Sequence, residues 1–228
     1  MRRELAVWTR ISHSNIHPLL GFKIKPEPCL ISAWCGNGNL MNYLGENPNL
    51  SRAEKLQLVQ QTARGLAYLH YQTPPICHAD IKPENVLVND FREAALSDFG
   101  LSRVIQELDI STGLTTGAGP KGSQNYVAPE LFEDADSKPT LEADVYAFGG
   151  LILAVMTGSP PFAQVNSLAK IMFRIIQGKV PQPDEHPQLQ RDDPLWSLMV
   201  QCWARERQKR PILSDVEATV RAWSKIWC

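Results

Sequence analysis

In "RRELAVWTRI", Leu5, Trp8 and Ile11 recur three residues apart, which predicts a helix. Two short apolar runs follow, "LLGFKI" and "CLISAW", joined through Lys25-Pro26-Glu27-Pro28. They read as two short strands separated by a turn. "GNGN", Gly36 to Asn39, is a turn that leads into a helix. Ser51 with Glu54 forms a capping box for a long helix whose Leu56, Val59, Ala63, Leu66 and Leu69 lie on one face. From Thr73 to Pro129 the texture changes to short strands and loops, with "VLV", "AALS" and a Gly/Ser/Thr-rich stretch from Ser111 to Ser123. Helical spacing then returns. One helix follows Thr140 and stops at Gly158, before Pro160-Pro161. Others cover Leu168–Gln177 and Leu195–Ala204. The last is expected to begin at Ser214, with Glu217 completing a second capping box. The pattern predicts an α+β chain: a small strand-bearing N-terminal part and a larger, mostly helical C-terminal part, with a boundary near Gly36–Gly38.

Composition narrows the class without naming it. The chain has 228 residues, 43% hydrophobic and 21% charged, enough for one sizeable core or two small lobes. A net charge of -1 argues against a nucleic-acid or acidic-membrane partner. Five scattered cysteines (Cys29, Cys35, Cys77, Cys202, Cys228) form no CxxC and fit a reducing, cytoplasmic setting. The charged start "MRRELAVWTRI" has no apolar segment of the kind a secretory signal needs. The longest nearly apolar run, "VYAFGGLILAVM", falls short of the roughly 20 residues that span a bilayer and reads as a buried core helix.

The chemistry concentrates in "CHADIKPENVLVND", which begins at Cys77. Asp80, Lys82 and Asn85 fall within six residues, just before the apolar Val86-Leu87-Val88. Polar groups in such a place are costly to bury unless paired. Alone, the stretch could be a hydrogen-bonded turn before a strand. "SDFG" (Ser97 to Gly100) follows at a strand-turn-strand distance, and "APE" (Ala128 to Glu130) comes after it. With them in place, a plain hydrogen-bonded turn becomes the poorer reading of Asp80 to Asn85.

In this order, "HADIKPEN", "SDFG" and "APE" resemble the motifs of the eukaryotic protein kinase family. "DVYAFG" (Asp144 to Gly149) resembles the family's central buried helix. "CWARERQKRP" (Cys202 to Pro211) resembles the ending typical of its tyrosine-kinase-like group, and "HSNIHPLLG" (His13 to Gly21) the segment between the regulatory helix and its next strand. The resemblance covers essentially the whole chain. It implies a protein-kinase-like fold, with residues 1-35 as a partial N-lobe (regulatory helix and two or so strands) and residues 36-228 as the C-lobe. It implies a serine/threonine kinase that uses ATP and Mg²⁺ on protein substrates, with the oligomeric state open. Asp80 would be the catalytic base and Lys82 would sit beside the γ-phosphate. Asn85 and Asp98 would supply hard oxygen ligands to Mg²⁺. Ala33 and Cys35 would offer hinge backbone groups to adenine, with Ser32 at the gatekeeper position. Leu87 would line the nucleotide site, and Glu4 matches the regulatory-helix glutamate. Ser123 matches the hydroxyl that bonds the catalytic Asp and Lys; with Lys82 it favours Ser/Thr substrates. Asp144 is expected to bond the catalytic-loop backbone, and Glu130 and Arg210 to form a structural ion pair.

Three departures qualify the match. "GAGPKG" (Gly117 to Gly122) satisfies G-x-G-x-x-G, yet it contains Pro120, follows no strand and belongs to the activation segment. Only Met1, Arg2 and Arg3 precede Glu4, while Lys23 and Lys25 follow it. The phosphate-covering loop and the ATP-orienting lysine are therefore expected to be missing, leaving an exposed strand edge and an uncovered apolar face. Ala79 stands where the family usually has the arginine that pairs with activation-segment phosphate. Phosphorylation at Ser111, Thr112, Thr115 or Thr116 is not expected to be read through residue 79. The rival to an enzyme is a pseudokinase-like binding module. His13 and His17, four apart and followed by Pro18, are expected in turn and packing roles rather than on zinc. Met156, Trp203 and Trp223 are expected in the core.

Overall fold

The computed structural model describes residues 5, 7–27, 29–99, 103–104, 123–133 and 137–226. Glu4, Gly100, the 117–122 string and the hydroxyls at 111, 112, 115 and 116 lie outside this set.

The helix at the start closes at Trp8 and gives way to a turn at Thr9 and Arg10, short of the expected Ile11. Two side chains account for the stop. Thr9 Oγ1 bonds back to the Leu5 carbonyl, and the Trp8 indole is drawn to the carbonyl of His17. Ile11 stays buried beside them. The strands β1 (Leu19–Lys23) and β2 (Cys29–Ser32) pair antiparallel, Phe22 opposite Leu30, with an irregularity between Leu19 and Gly21. The ribbon leaves large apolar side chains uncovered on both faces: Leu20 is 64% exposed, and Phe22 and Ile31, on opposite faces, are also open to solvent.

Asn39 caps α1 (Leu40–Glu46), its Oδ1 accepting from the Asn42 N–H at 3.0 Å. The Ser51–Glu54 box is formed at the start of α2 (Arg52–His70), and Leu56, Val59, Ala63, Leu66 and Leu69 are buried along it. The strand β3 (Ile76–Cys77) pairs with β6 (Arg103–Val104), and β4 (Val86–Val88) with β5 (Ala94–Leu96), both antiparallel. A parallel bridge from Ile16 to Leu96 ties the N-terminal part to β5.

The core centres on α4 (Leu141–Thr157), in which every residue from Ala143 to Thr157 is buried. That explains the unbroken apolar run. Thr140 caps it, and Gly158 ends it in the left-handed region at φ 72. The short α3 (Glu130–Glu133), then α5 (Leu168–Ile176), α6 (Pro194–Cys202) and α7 (Leu213–Ile226) surround it. Met156 and Trp203 are buried and Trp223 packs against the core. The last helix starts one residue before the expected Ser214. Glu217 does not serve as a cap: its Oε1 accepts from Gln60 Nε2 at 3.3 Å and Arg64 Nε at 3.4 Å, binding α7 to α2. No helix among the described residues is long and apolar enough to cross a membrane.

Gly65 marks the tightest approach between α2 and the N-terminal part. A Cβ there would lie 2.3 Å from the Asn15 carbonyl oxygen, which itself accepts the Leu96 N–H at 3.0 Å. Gly65→Ala is therefore expected to lower stability by about 1–3 kcal/mol. The midpoint of urea unfolding measures this, and an unchanged midpoint would contradict the packing described.

Candidate active site

The segment after β3 turns sharply, runs through a 3-10 turn at Pro83–Asn85 and enters β4. Pro83 opens that turn, where its fixed φ suits the geometry. The turn folds Asn85 back on Asp80. Asp80 Oδ2 accepts from Lys82 Nζ at 2.7 Å and from Asn85 Nδ2 at 2.7 Å, and Asn85 Nδ2 also reaches the Asp80 carbonyl at 2.8 Å. The acid, the base and the amide thus meet at one oxygen. With its amide nitrogen engaged by Asp80, Asn85 has its Oδ1 as the remaining side-chain acceptor.

A second carboxylate holds this loop from below. Asp144, fully buried on α4, accepts from the His78 N–H and the Ala79 N–H, each at 2.8 Å, and meets His70 Nε2 at 3.0 Å. Burial alone would push its carboxyl up, but the bond and charge of His70 and the main-chain bond from His78 outweigh that and hold it below the usual range. The same contacts keep Ala79 at φ 70, a conformation that costs a non-glycine residue roughly 1–2 kcal/mol. A methyl group is all that residue 79 carries, so this loop has no guanidinium beside Asp80.

His78 links the loop to the strand pair. Its Nδ1 accepts from the Asp80 N–H at 3.4 Å, which assigns the proton to Nε2, facing the Ser97 carbonyl at 3.0 Å. Ser97 in turn fixes Asn85: its N–H and its hydroxyl both donate to the Asn85 carbonyl, at 2.9 and 3.0 Å. Asp98 follows directly, exposed and at φ 61. Phe99, fully buried, packs at a tilt between the rings of His78 (5.3 Å) and Trp8 (5.6 Å), joining the loop to the N-terminal helical turn.

Ser32 ends β2, Ala33 is exposed, Cys35 is half-buried, and Leu87 is half-buried in β4. The Gly36 N–H donates to Asp90 Oδ1 at 3.3 Å, anchoring the segment after β2 to the β4–β5 hairpin. Ser123 opens a 3-10 turn, Ser123–Tyr126; its side chain is outside the described set. Farther away, Arg210 grips Glu130 through two bonds, of 2.6 and 2.8 Å. The structure thus gathers Asp80, Lys82 and Asn85 and sets Asp98 next to them through Ser97. His70, His17 and Trp8 joined this network without any local sequence signal beyond their polarity or ring. A cavity of about 420 Å³ lies between the N-terminal turn and β1, lined by Trp8, Ile11, Ile16 and Phe22, and not over Asp80. Lys82 and Asn85 are themselves buried, and Asp80 borders a much smaller cavity of about 30 Å³ that Ala79, Tyr126 and Asp144 also line.

Burial lowers the pKa of His13, His17, His78 and His186 from 6.5. The unfolded chain therefore binds more protons between 6.5 and the lower folded values, so stability rises with pH in that window. Unfolding midpoints are expected to fall as pH drops from 7.5 to 5.5; equal midpoints would overturn the neutral, buried state of these rings.

The chain matches the family of protein tyrosine and serine/threonine kinases over residues 1–220. It is 33% identical, over 218 residues, to an Acanthamoeba polyphaga mimivirus protein named as a serine/threonine-protein kinase/receptor. The match covers 94% of this chain and 12% of that protein. It is 30% identical over 225 residues to the Dictyostelium discoideum protein named as serine/threonine-protein kinase pats1, covering 95% of this chain and 6% of that one. Against A-Raf of Mus musculus it is 28% identical over 227 residues, covering 96% of this chain and 36% of that protein. The chain spans a minor part of each of these relatives. The chain belongs to the protein tyrosine and serine/threonine kinase family.

Proposed function

We propose that this chain carries the catalytic loop of a protein serine/threonine kinase, transferring the γ-phosphate of ATP to Ser or Thr hydroxyls of protein substrates. The observation that carries the reading is the meeting of Lys82 and Asn85 at Asp80 Oδ2, on a loop fixed to the core by Asp144. Asp80 orients the substrate hydroxyl and accepts its proton. Lys82 offsets charge beside the transferred group. The residues present suit Mg²⁺: Asn85 Oδ1 and the exposed Asp98 carboxylate are hard oxygen donors, and the ion would neutralise phosphate charge there. Ala33 and Cys35 present main-chain groups to adenine, with Ser32 beside them and Leu87 beneath. Glu4 and Ser123 complete the set by family position. The names of the relatives support serine/threonine specificity. The four free cysteines among the described residues suit a reducing cytoplasm.

The exposed apolar side chains of the β1–β2 ribbon favour a second reading, a binding module without phosphoryl transfer. One experiment separates the two. Mg·ATP is expected to raise the melting temperature of the wild-type chain, and Asp98→Asn to abolish that rise. No shift in the wild type would leave the binding module as the better reading.

A further inference from the structure

The geometry points to His17 as a positioning residue that clasps the adenine-binding segment Ala33–Cys35 from behind and ties it to the strand leading to Asp98. This inference rests on the nucleotide-binding reading of that segment.

His17 is 3% exposed, and a buried imidazole without bonds is costly. Its main chain is spoken for: the N–H donates to the Leu96 carbonyl at 2.8 Å, and the carbonyl accepts the Trp8 indole N–H. Those two bonds fix its backbone against β5, two residues before Asp98, and against the N-terminal turn. The ring then points to the chain beyond β2. It faces the Ala33 main chain, and Nδ1 lies 3.9 Å from Cys35 Sγ. Burial keeps the ring neutral, so it offers one donor and one acceptor. Nε2 is buried with no partner among the described residues, so only one edge of the ring is committed.

An apolar side chain would fill this place more cheaply. The positions that flank it in the fold, Ile16 and Leu96, are both apolar. What the imidazole adds is directional: it fixes the φ/ψ of a segment that is otherwise exposed at Ala33 and Trp34 and paired to no further strand. Purine recognition by main-chain groups needs that segment held before the ligand arrives, since ordering it on binding would subtract from affinity.

The test uses the full chain and three variants. His17→Phe keeps the ring and removes both nitrogens; His17→Gln keeps a donor and an acceptor. His17→Leu repeats the test should phenylalanine not be accommodated. The first readout needs no nucleotide. Cys35 is half-buried against His17 while Cys29 is exposed, so the ratio of their iodoacetamide alkylation rates reports release of the clasp. The second is the dissociation constant of a fluorescent ATP analogue with Mg²⁺. For His17→Phe we expect the Cys35/Cys29 ratio to rise at least fivefold and nucleotide binding to weaken about tenfold. His17→Gln should stay within threefold of wild type on both. Wild-type ratio and affinity in His17→Phe would overturn the proposal, whatever the melting temperature does. A raised ratio in a chain that binds no nucleotide even as wild type would uphold the clasp and overturn the nucleotide reading.

Discussion

Asp80→Asn is expected to reduce phosphoryl transfer about 10²–10⁴-fold, the usual contribution of a positioned general base. That corresponds to roughly 3–5 kcal/mol of transition-state stabilisation. Asparagine matches the carboxylate in shape and can still accept one hydrogen bond at the site where Lys82 and Asn85 converge. It cannot take a proton from a hydroxyl. Folding should change little, because the loop backbone is held by Asp144 and not by Asp80. The measurement is phosphate incorporation into a mixed Ser/Thr peptide substrate, alongside the melting temperature. A variant that transfers phosphate at the wild-type rate would remove Asp80 from the chemistry. One that loses activity together with its fold would assign the residue to structure instead.

The largest effect on stability is expected at the Glu130–Arg210 pair. The Arg210 side chain is fully enclosed, whereas that of Glu130 is 19% exposed. Besides its two bonds to Glu130, the guanidinium donates to the Ala204 carbonyl at 3.0 Å and the Glu142 carbonyl at 2.9 Å, and lies 5.1 Å from the centre of the Tyr146 ring. It thereby joins α3, the start of α4 and the segment after α6. Glu130→Ala leaves a buried cation with only neutral acceptors, at a cost of about 3–5 kcal/mol. A domain of this kind is stable by only about 5–15 kcal/mol in total. Arg210→Met combined with Glu130→Ala should cost clearly less than the two single changes summed, because the double variant buries no lone charge. Denaturant titration of the three variants measures this. A loss below 1 kcal/mol for Glu130→Ala would show that the pair is dispensable.

Much of this architecture is legible from short-range pattern. The Ser51–Glu54 box, the stop at Gly158 and the buried run of α4 each depend on residues a few positions apart. The convergence of Lys82 and Asn85 on Asp80 is equally local, two and five residues along the chain. What was hidden depends on long-range partners. Asp144 meets His70 across 74 positions, and that histidine carries no local mark of the role; the bonds of Asp144 to the loop backbone, 66 positions away at His78, were expected only through the family resemblance. Glu217 looked like a cap because its spacing from Ser214 is right, but α2 offered it Gln60 and Arg64. The N-terminal helix stopped early because Trp8 found His17, a partner that periodicity does not encode.

Anchoring the loop to α4 also decides which parts of the molecule open together. Amides of α4 have no solvent-facing side and should exchange with deuterium only on global unfolding. The ribbon of β1 and β2, with Leu20, Phe22 and Ile31 exposed, belongs to the low end of the same scale. The backbone amides of His78 and Ala79, bonded to a carboxylate of α4, fall into the slow class with it. The chemical loop and the β1–β2 ribbon are thus expected to sit in different cooperative units, the ribbon opening while Asp80 stays in place.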